Sequence, residues 1–307
     1  MAAKQYLNFL GILVLVTLLV QPFLLSGTGC WRCSAQSNPR EGWAVILEMN
    51  EYPDGWTDIP NGYADTAKWR STLLELGWEA NHLYIVNGEL TREVVEAAVY
   101  HLIARADNND VVFFYIAAHG LWLRYMIEWN DWFPALWEEL VSEHKLLIVS
   151  SCLAGEFTGP VEADPNPHVS IAAVNATEYS WSGIPSEGLP IIGCVMTHYL
   201  SAAFQTSYAD INDDDDVSVE EAFAFAYPQI REYYNETVYP AFPASADLNN
   251  GEPPHPQMDD AYHGELSLQV ELSIPAPLVY LWIAVVGLVV ACVLVIVVVV
   301  WRRNRRS

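Results

Sequence analysis

Two stretches decide the fold: DVVFFYIAAHG, from Asp110 to Gly120, and LLIVSSCLAG, from Leu146 to Gly155. Each opens as an apolar run of strand length, and runs without alternation mark strands covered on both faces. The first closes on His119-Gly120 and the second on Cys152, with Gly155 three residues on. Working outward, further strands are expected at residues 43–49, 83–86 and 169–174, beside those at 111–117 and 146–150. Helical periods separate them. Ala64, Ala67, Ser71 and Leu74 mark one face of a first helix that stops at Gly77. Thr91 can cap a second, whose Val94, Val95, Ala98 and Leu102 follow helical spacing. Residues 191–204 and 219–230 read as two more helices, the Pro-rich 240–256 as a long loop, and the alternating 266–272 as a last strand. Strands alternating with helices imply an α/β fold with a mostly parallel sheet.

The 307 residues are 52% hydrophobic, yet carry a formal charge of −24. The apolar surplus is concentrated at the ends. Residues 278–301 hold no charge, and about 20 apolar residues suffice for a bilayer-spanning helix. Arg302, Arg303, Arg305 and Arg306 follow at once, placing residues 302–307 in the cytoplasm as a basic tail. At the other end Lys4 precedes an apolar run over 7–25, so residues 1–29 read as a signal peptide or signal anchor. The expected organisation is therefore an extracellular domain at 31–277 held in the cell membrane by a single helix at 278–301. That domain holds all 38 acidic residues against nine basic ones, a formal charge of −29. Such a surface repels phosphates, which excludes a nucleic-acid binder. Of five cysteines, Cys30 and Cys33 form a juxtamembrane pair and Cys292 lies in the apolar tail segment, leaving Cys152 and Cys194 for the folded region.

In open parallel sheets, ligands bind beyond the carboxyl ends of the strands. His119 and Cys152 both stand at such ends. Taken singly, the first would pass for a loop histidine and the second for a small buried hydrophobe. Their joint placement on neighbouring strand ends makes a cysteine nucleophile with a general base within reach. Gly120 lets the backbone turn sharply and aim an N–H at a substrate carbonyl.

Asp110 to Gly120 and Leu146 to Gly155, in that order, resemble the caspase-like cysteine peptidases, and within them the legumain group that includes the catalytic subunit of the GPI transamidase. The looser resemblance runs from about residue 43 to 272. It implies a caspase-like three-layer sandwich, His119 as general acid/base, Cys152 as nucleophile, and the Gly120 and Cys152 amides as an oxyanion hole. It also implies acyl transfer from a protein or peptide substrate, to water in an endopeptidase or to an amine in a transamidase. An inactive calcium-binding surface module is the alternative from another class. Two positions depart from the legumain group: Ser151 stands where that group has an acidic residue before its cysteine, and Asn61 where the early Arg-His-Gln-Ala-Asp segment begins. Asparagine specificity does not carry over with the dyad.

A second constellation runs from Asp210 to Glu221. Asp210, Asn212, Asp214, Asp216 and Ser218 supply oxygens at loop positions 1, 3, 5, 7 and 9, and Glu221 at 12, the EF-hand calcium spacing. Asp215 occupies the position that usually needs glycine, and aspartate tolerates a left-handed backbone better than most residues. One such loop is expected to hold a structural calcium between two helices. Several of the twelve tryptophans fall between Trp122 and Trp137 and are expected to be core rather than a binding platform.

Overall fold

The computed structural model describes residues 39–270, together with residues 287, 290, 301 and 302. The leader expected at 1–29, the Cys30/Cys33 pair and most of the apolar 278–301 lie outside the described residues. Among the described residues no helix is long and apolar enough to cross a membrane.

The sheet is built on β1 (Gly42–Glu48), β2 (Leu83–Asn87), β3 (Val111–Ala117), β4 (His144–Ser150) and β5 (His168–Ala172), with β8 (Gln257–Asp260) at one edge. Their order is β2-β1-β3-β4-β5-β8. The first five are parallel, as their unbroken apolar runs require, and β8 is antiparallel to β5. A minor two-stranded ladder joins β6 (Ser182–Gly183) to β7 (Gly193–Cys194). Every residue of β3 is buried, so helices must cover both faces of the sheet.

Alternation along β3 shows which helix covers which face. Trp69 of α1 (Ala64–Glu75) packs on Phe113 and Tyr115, with ring centroids 4.9 and 5.9 Å away. Phe114, between them, meets Trp129, Phe133 and Trp137 of α4 (Trp129–Trp137) on the opposite side. The first layer is completed by α6 (Val195–Ala203) and α7 (Val219–Tyr233), packed together and, through α6, on α1. The second includes α2 (Arg92–Ile103), which packs on β1 and α4. The expected three-layer α/β sandwich with a mostly parallel sheet is thus present. Trp122, Trp129, Trp132 and Trp137 are all buried, as core.

Three expectations are corrected. The buried face of α1 is Asp65, Thr66, Trp69, Thr72 and Leu73, not the stripe of Ala64, Ala67, Ser71 and Leu74. A carboxylate and two threonines carry that face, so hydrophobicity alone points to the wrong side. The stretch 266–272 is not a sheet strand within its described part. Leu266 and Leu268 are buried as the alternation requires, but their backbone is used elsewhere. Leu266 O accepts from Val219 N at 2.9 Å, Leu268 O accepts the Trp78 indole at 2.7 Å, and one bridge joins Ser218 to Ser267. The sixth strand is instead Gln257–Asp260, a short polar edge strand. The third correction concerns 240–256, which is not one open loop: it holds the short helix Pro243–Leu248.

β4 also carries Lys145 into the core, where it pairs with Asp164; both side chains are almost wholly buried. Burial lowers the lysine's pKa and the Asp164 hydrogen bond opposes that shift. Removing one partner of a buried pair strands the other's charge, at about 3–5 kcal/mol. Asp164→Ala should therefore lower the unfolding free energy by about 3–5 kcal/mol, measured by denaturant titration. The pair Lys145→Met with Asp164→Leu should recover most of that loss. A single variant as stable as the parent would contradict this assignment.

Candidate active site

The parallel register of β3 and β4 sets Ala117 opposite Ser150. His119 and Cys152 each lie two residues past that pair, so the two strands deliver them to the same end of the sheet. The register of β1 sets Glu48 opposite Ala117 in the same row. One cavity of about 350 Å³ opens there, and His119, Cys152 and Glu48 all line it. Asn61 and Asp65 line it too. The sequence-derived pair is thus brought into one cleft, while the Asp210 to Glu221 loop lies elsewhere, between α6 and α7.

His119 is held from two sides. Its backbone N–H donates to Tyr52 Oη at 2.8 Å, and the Tyr52 ring lies against the imidazole with centroids 4.6 Å apart. Nε2 is 2.7 Å from the Thr57 carbonyl oxygen. A carbonyl only accepts, so Nε2 carries the proton and neutral His119 keeps its lone pair on Nδ1. Neither Tyr52 nor Thr57 was legible as a site residue, since Thr57 acts through its backbone and Tyr52 through a loop-borne hydroxyl.

Cys152 follows β4 on a constrained turn. Leu153, directly after it, has φ 61°, a left-handed conformation that costs a non-glycine residue roughly 1–2 kcal/mol. The turn is pinned by Leu153 N donating to Glu178 O at 2.8 Å and Gly155 N donating to Val174 O at 3.0 Å. Glu178 is itself paired with His255 at 2.6 Å. The half-buried Cys152 thiol donates to Ser180 O at 3.7 Å, and Ser180 Oγ approaches Sγ at 3.9 Å. Burial pushes the Cys152 thiol up from its ordinary value, with the Ser180 hydrogen bonds pulling the other way. The upward shift disfavours the thiolate, so a thiol reacting from this position would need a neighbouring base.

Gly120 opens α3 (Gly120–Tyr125) immediately after His119. A Cβ placed there would come within 2.0 Å of the Cys152 carbonyl oxygen and 2.9 Å of its carbon. Glycine is required because the two site-bearing backbones touch. Arg124 of α3 bonds Glu156 just beyond Cys152, with Nε to Oε1 at 2.8 Å, and ties the same two segments together a turn further out.

The Asp210 to Glu221 loop keeps its donors on its own backbone. The Asp210 carboxylate accepts from the Asp214 and Asp215 amides at 3.2 and 3.0 Å. Asn212 Oδ1 accepts from Asp214 N, and Asp214 Oδ1 from Asp216 N. Asp215 has φ 68°, the left-handed turn its position demands. Ser218 caps α7, and Glu221 closes the capping box while accepting from the Ile211 and Asn212 amides at 2.8 and 3.0 Å. Burial raises the Glu221 pKa, but the amides of Ser218, Ile211 and Asn212 outweigh it and the net shift is downward. Asp216 Oδ1 is buried and accepts no hydrogen bond. Among the described residues no group of three or more His, Cys, Asp or Glu side chains converges in a way that could hold a metal ion.

A caspase domain family model matches residues 41–236. The chain belongs to the caspase domain family. Caspase-1 from Spodoptera frugiperda shares the fold at a TM-score of 0.53 and 14% sequence identity, over 77% of this chain and 93% of that one. No curated protein matches the sequence. The caspase domain is one of cysteine peptidases acting on protein substrates, and the match encloses both strand ends that carry His119 and Cys152.

Two outcomes are expected. Gly120→Ala should lower kcat by about 10²–10³-fold, a loss of the size produced by removing one oxyanion donor, because the methyl must displace the Cys152 carbonyl; unchanged kinetics would show that the close approach is dispensable. Alkylation of Cys152 by iodoacetamide should rise through a midpoint above that of a free cysteine, because a raised pKa leaves less thiolate at neutral pH. A reactive plateau extending into acid would contradict the raised shift.

Proposed function

We propose that the protein is a membrane-anchored cysteine endopeptidase, with its catalytic domain facing outward and a His119/Cys152 dyad. The observation that carries this reading is that two reactive side chains from neighbouring strand ends line one cavity. Anchoring and an extracellular location rest on the sequence: the uncharged 278–301, the arginines that follow it, and the leader. The kinship with the legumain group rests on the two motifs.

The proposed reaction is acyl transfer through a thioester. His119 Nδ1 takes the proton from Cys152 Sγ, and the Thr57 carbonyl steadies the imidazolium through Nε2–H. The thiolate attacks the scissile carbonyl carbon, and the displaced electron pair goes to its oxygen, facing the Gly120 and Cys152 amides. Collapse re-forms the carbonyl and breaks the C–N bond, with His119 returning the proton to the leaving amine. Water, deprotonated by His119, then attacks the thioester and releases the acid and the thiol. An amine in place of that water would give the transamidase outcome.

The same proposal includes a structural calcium at Asp210, Asn212, Asp214, Asp216, Ser218 and Glu221. Its supports are the donor spacing, the left-handed Asp215 and the buried Asp216 Oδ1 without a partner. The carboxylates do not converge in the structure, so ligation would have to gather them and draw Glu221 away from the Ile211 and Asn212 amides.

Cys152→Ala and His119→Ala should each abolish peptide turnover while leaving the melting temperature within a few degrees of the parent. Residual turnover equal to the parent in either variant would end the dyad reading. Adding a primary amine and following the product mass separates hydrolysis from transfer. Chelation should lower the melting temperature of the full-length protein, with recovery on adding calcium; a melt insensitive to both removes the metal from the proposal.

A further inference from the structure

The cavity beside Cys152 is unusually one-sided in charge. Glu48, Asp58, Asp65 and Glu187 all line it, and no lysine or arginine does. Three of these carboxylates have structural partners. Asp58 Oδ1 accepts from Tyr52 N at 2.8 Å, and Glu187 Oε2 from Ile184 N at 3.2 Å. Asp65 accepts from Cys194 N at 3.0 Å and from Lys68 Nζ at 3.1 Å. Glu48 differs. Its side chain is fully buried, Oε2 accepts from Thr66 N at 2.8 Å, and Oε1 accepts no hydrogen bond. The Thr66 hydroxyl and the Asn61 amide lie near enough to ease its charge, the amide also donating to Ser182 Oγ at 3.2 Å, but both are neutral.

A buried carboxylate oxygen without a donor is costly and calls for an explanation. Burial, and then the charge of Asp65, push the Glu48 carboxyl above its ordinary range. Lys68 answers one of the two carboxylates through Asp65 and is spent there. Among the described residues, no lysine or arginine lining the cavity answers Glu48.

Resting on the peptidase reading above, we infer that Glu48 is the counter-charge for a cationic substrate side chain, so that the enzyme cleaves after lysine or arginine. Distance agrees with length. Glu48 and Ser150 are separated by β3 in the same row of the sheet, which is about two strand spacings, or ~10 Å. Cys152 is two residues beyond Ser150. A side chain that must run from a carbonyl at Cys152 to the foot of β1 has to be long, and only lysine and arginine combine that length with a terminal cation and several donors. An aspartate would enter a cavity with four carboxylates and no basic partner for its charge; an asparagine is too short for Glu48.

The test is a set of fluorogenic peptides identical except at the residue before the cleaved bond: arginine, lysine, acetyl-lysine, norleucine, asparagine and aspartate. With the full-length protein, arginine and lysine should exceed the other four in kcat/KM by about 100-fold or more. Glu48→Gln should collapse the lysine-to-norleucine ratio by at least tenfold, chiefly through KM. Should that variant fail to fold, the contrast between lysine and acetyl-lysine on the parent enzyme still decides, since acetylation removes the charge and keeps the length. Faster cleavage after norleucine, asparagine or aspartate, or a ratio unmoved by Glu48→Gln, overturns this inference and leaves the peptidase reading standing. Failure to cleave any peptide, with no acyl-enzyme by mass spectrometry, overturns both.

Discussion

The register of β3 against β4 is the constraint on which the site depends. Parallel pairing of Ala117 with Ser150 puts two apolar strands in step, and each then ends two residues later in a reactive side chain. Side chains along a strand alternate between faces, so a slip of one residue would send one partner to the opposite side of the sheet. The register is enforced from both layers: Trp69 grips Phe113 and Tyr115 from one face, and Trp129, Phe133 and Trp137 grip Phe114 from the other. The aromatic core thereby sets the geometry of the cleft.

Beyond the strand ends, local strain and close contact complete what the register begins. Leu153 turns through a left-handed conformation, and the contact of Gly120 with the Cys152 carbonyl leaves no room for a side chain. Amide-to-carbonyl bonds from Leu153 and Gly155 to Glu178 and Val174 pay for that turn. The imidazole is oriented by a backbone carbonyl rather than by a third acidic side chain. Burial disfavours the Cys152 thiolate, so in the proposed mechanism the neighbouring base supplies the reactivity.

The five parallel strands were legible because burial on both faces writes itself as unbroken apolar runs, and Val111–Ala117 is the clearest of them. The strand Gln257–Asp260 was not, since an edge strand with two aspartates carries neither an apolar run nor alternation. Leu266 and Leu268 did alternate into the core, but burial does not specify whose backbone a segment pairs with. The meeting of His119, Gly120 and Cys152 at one cleft was legible because each closely follows an apolar strand. The part of Thr57 was not, because it contributes a carbonyl that every residue possesses. Glu48 carries a signal of the same kind: a carboxylate closing the apolar Gly42–Glu48 run stands at a strand's carboxyl end, where His119 and Cys152 also stand.

The central claim is that His119 activates Cys152 toward an acyl carbon. Its most direct test is labelling of the full-length protein with a peptide electrophile at neutral pH, read by peptide mapping. The account predicts one label, on Cys152, formed rapidly in the parent and slowed at least about 100-fold in His119→Ala, the scale of general-base assistance. Labelling of Cys194 instead, or equal rates in parent and variant, would contradict it.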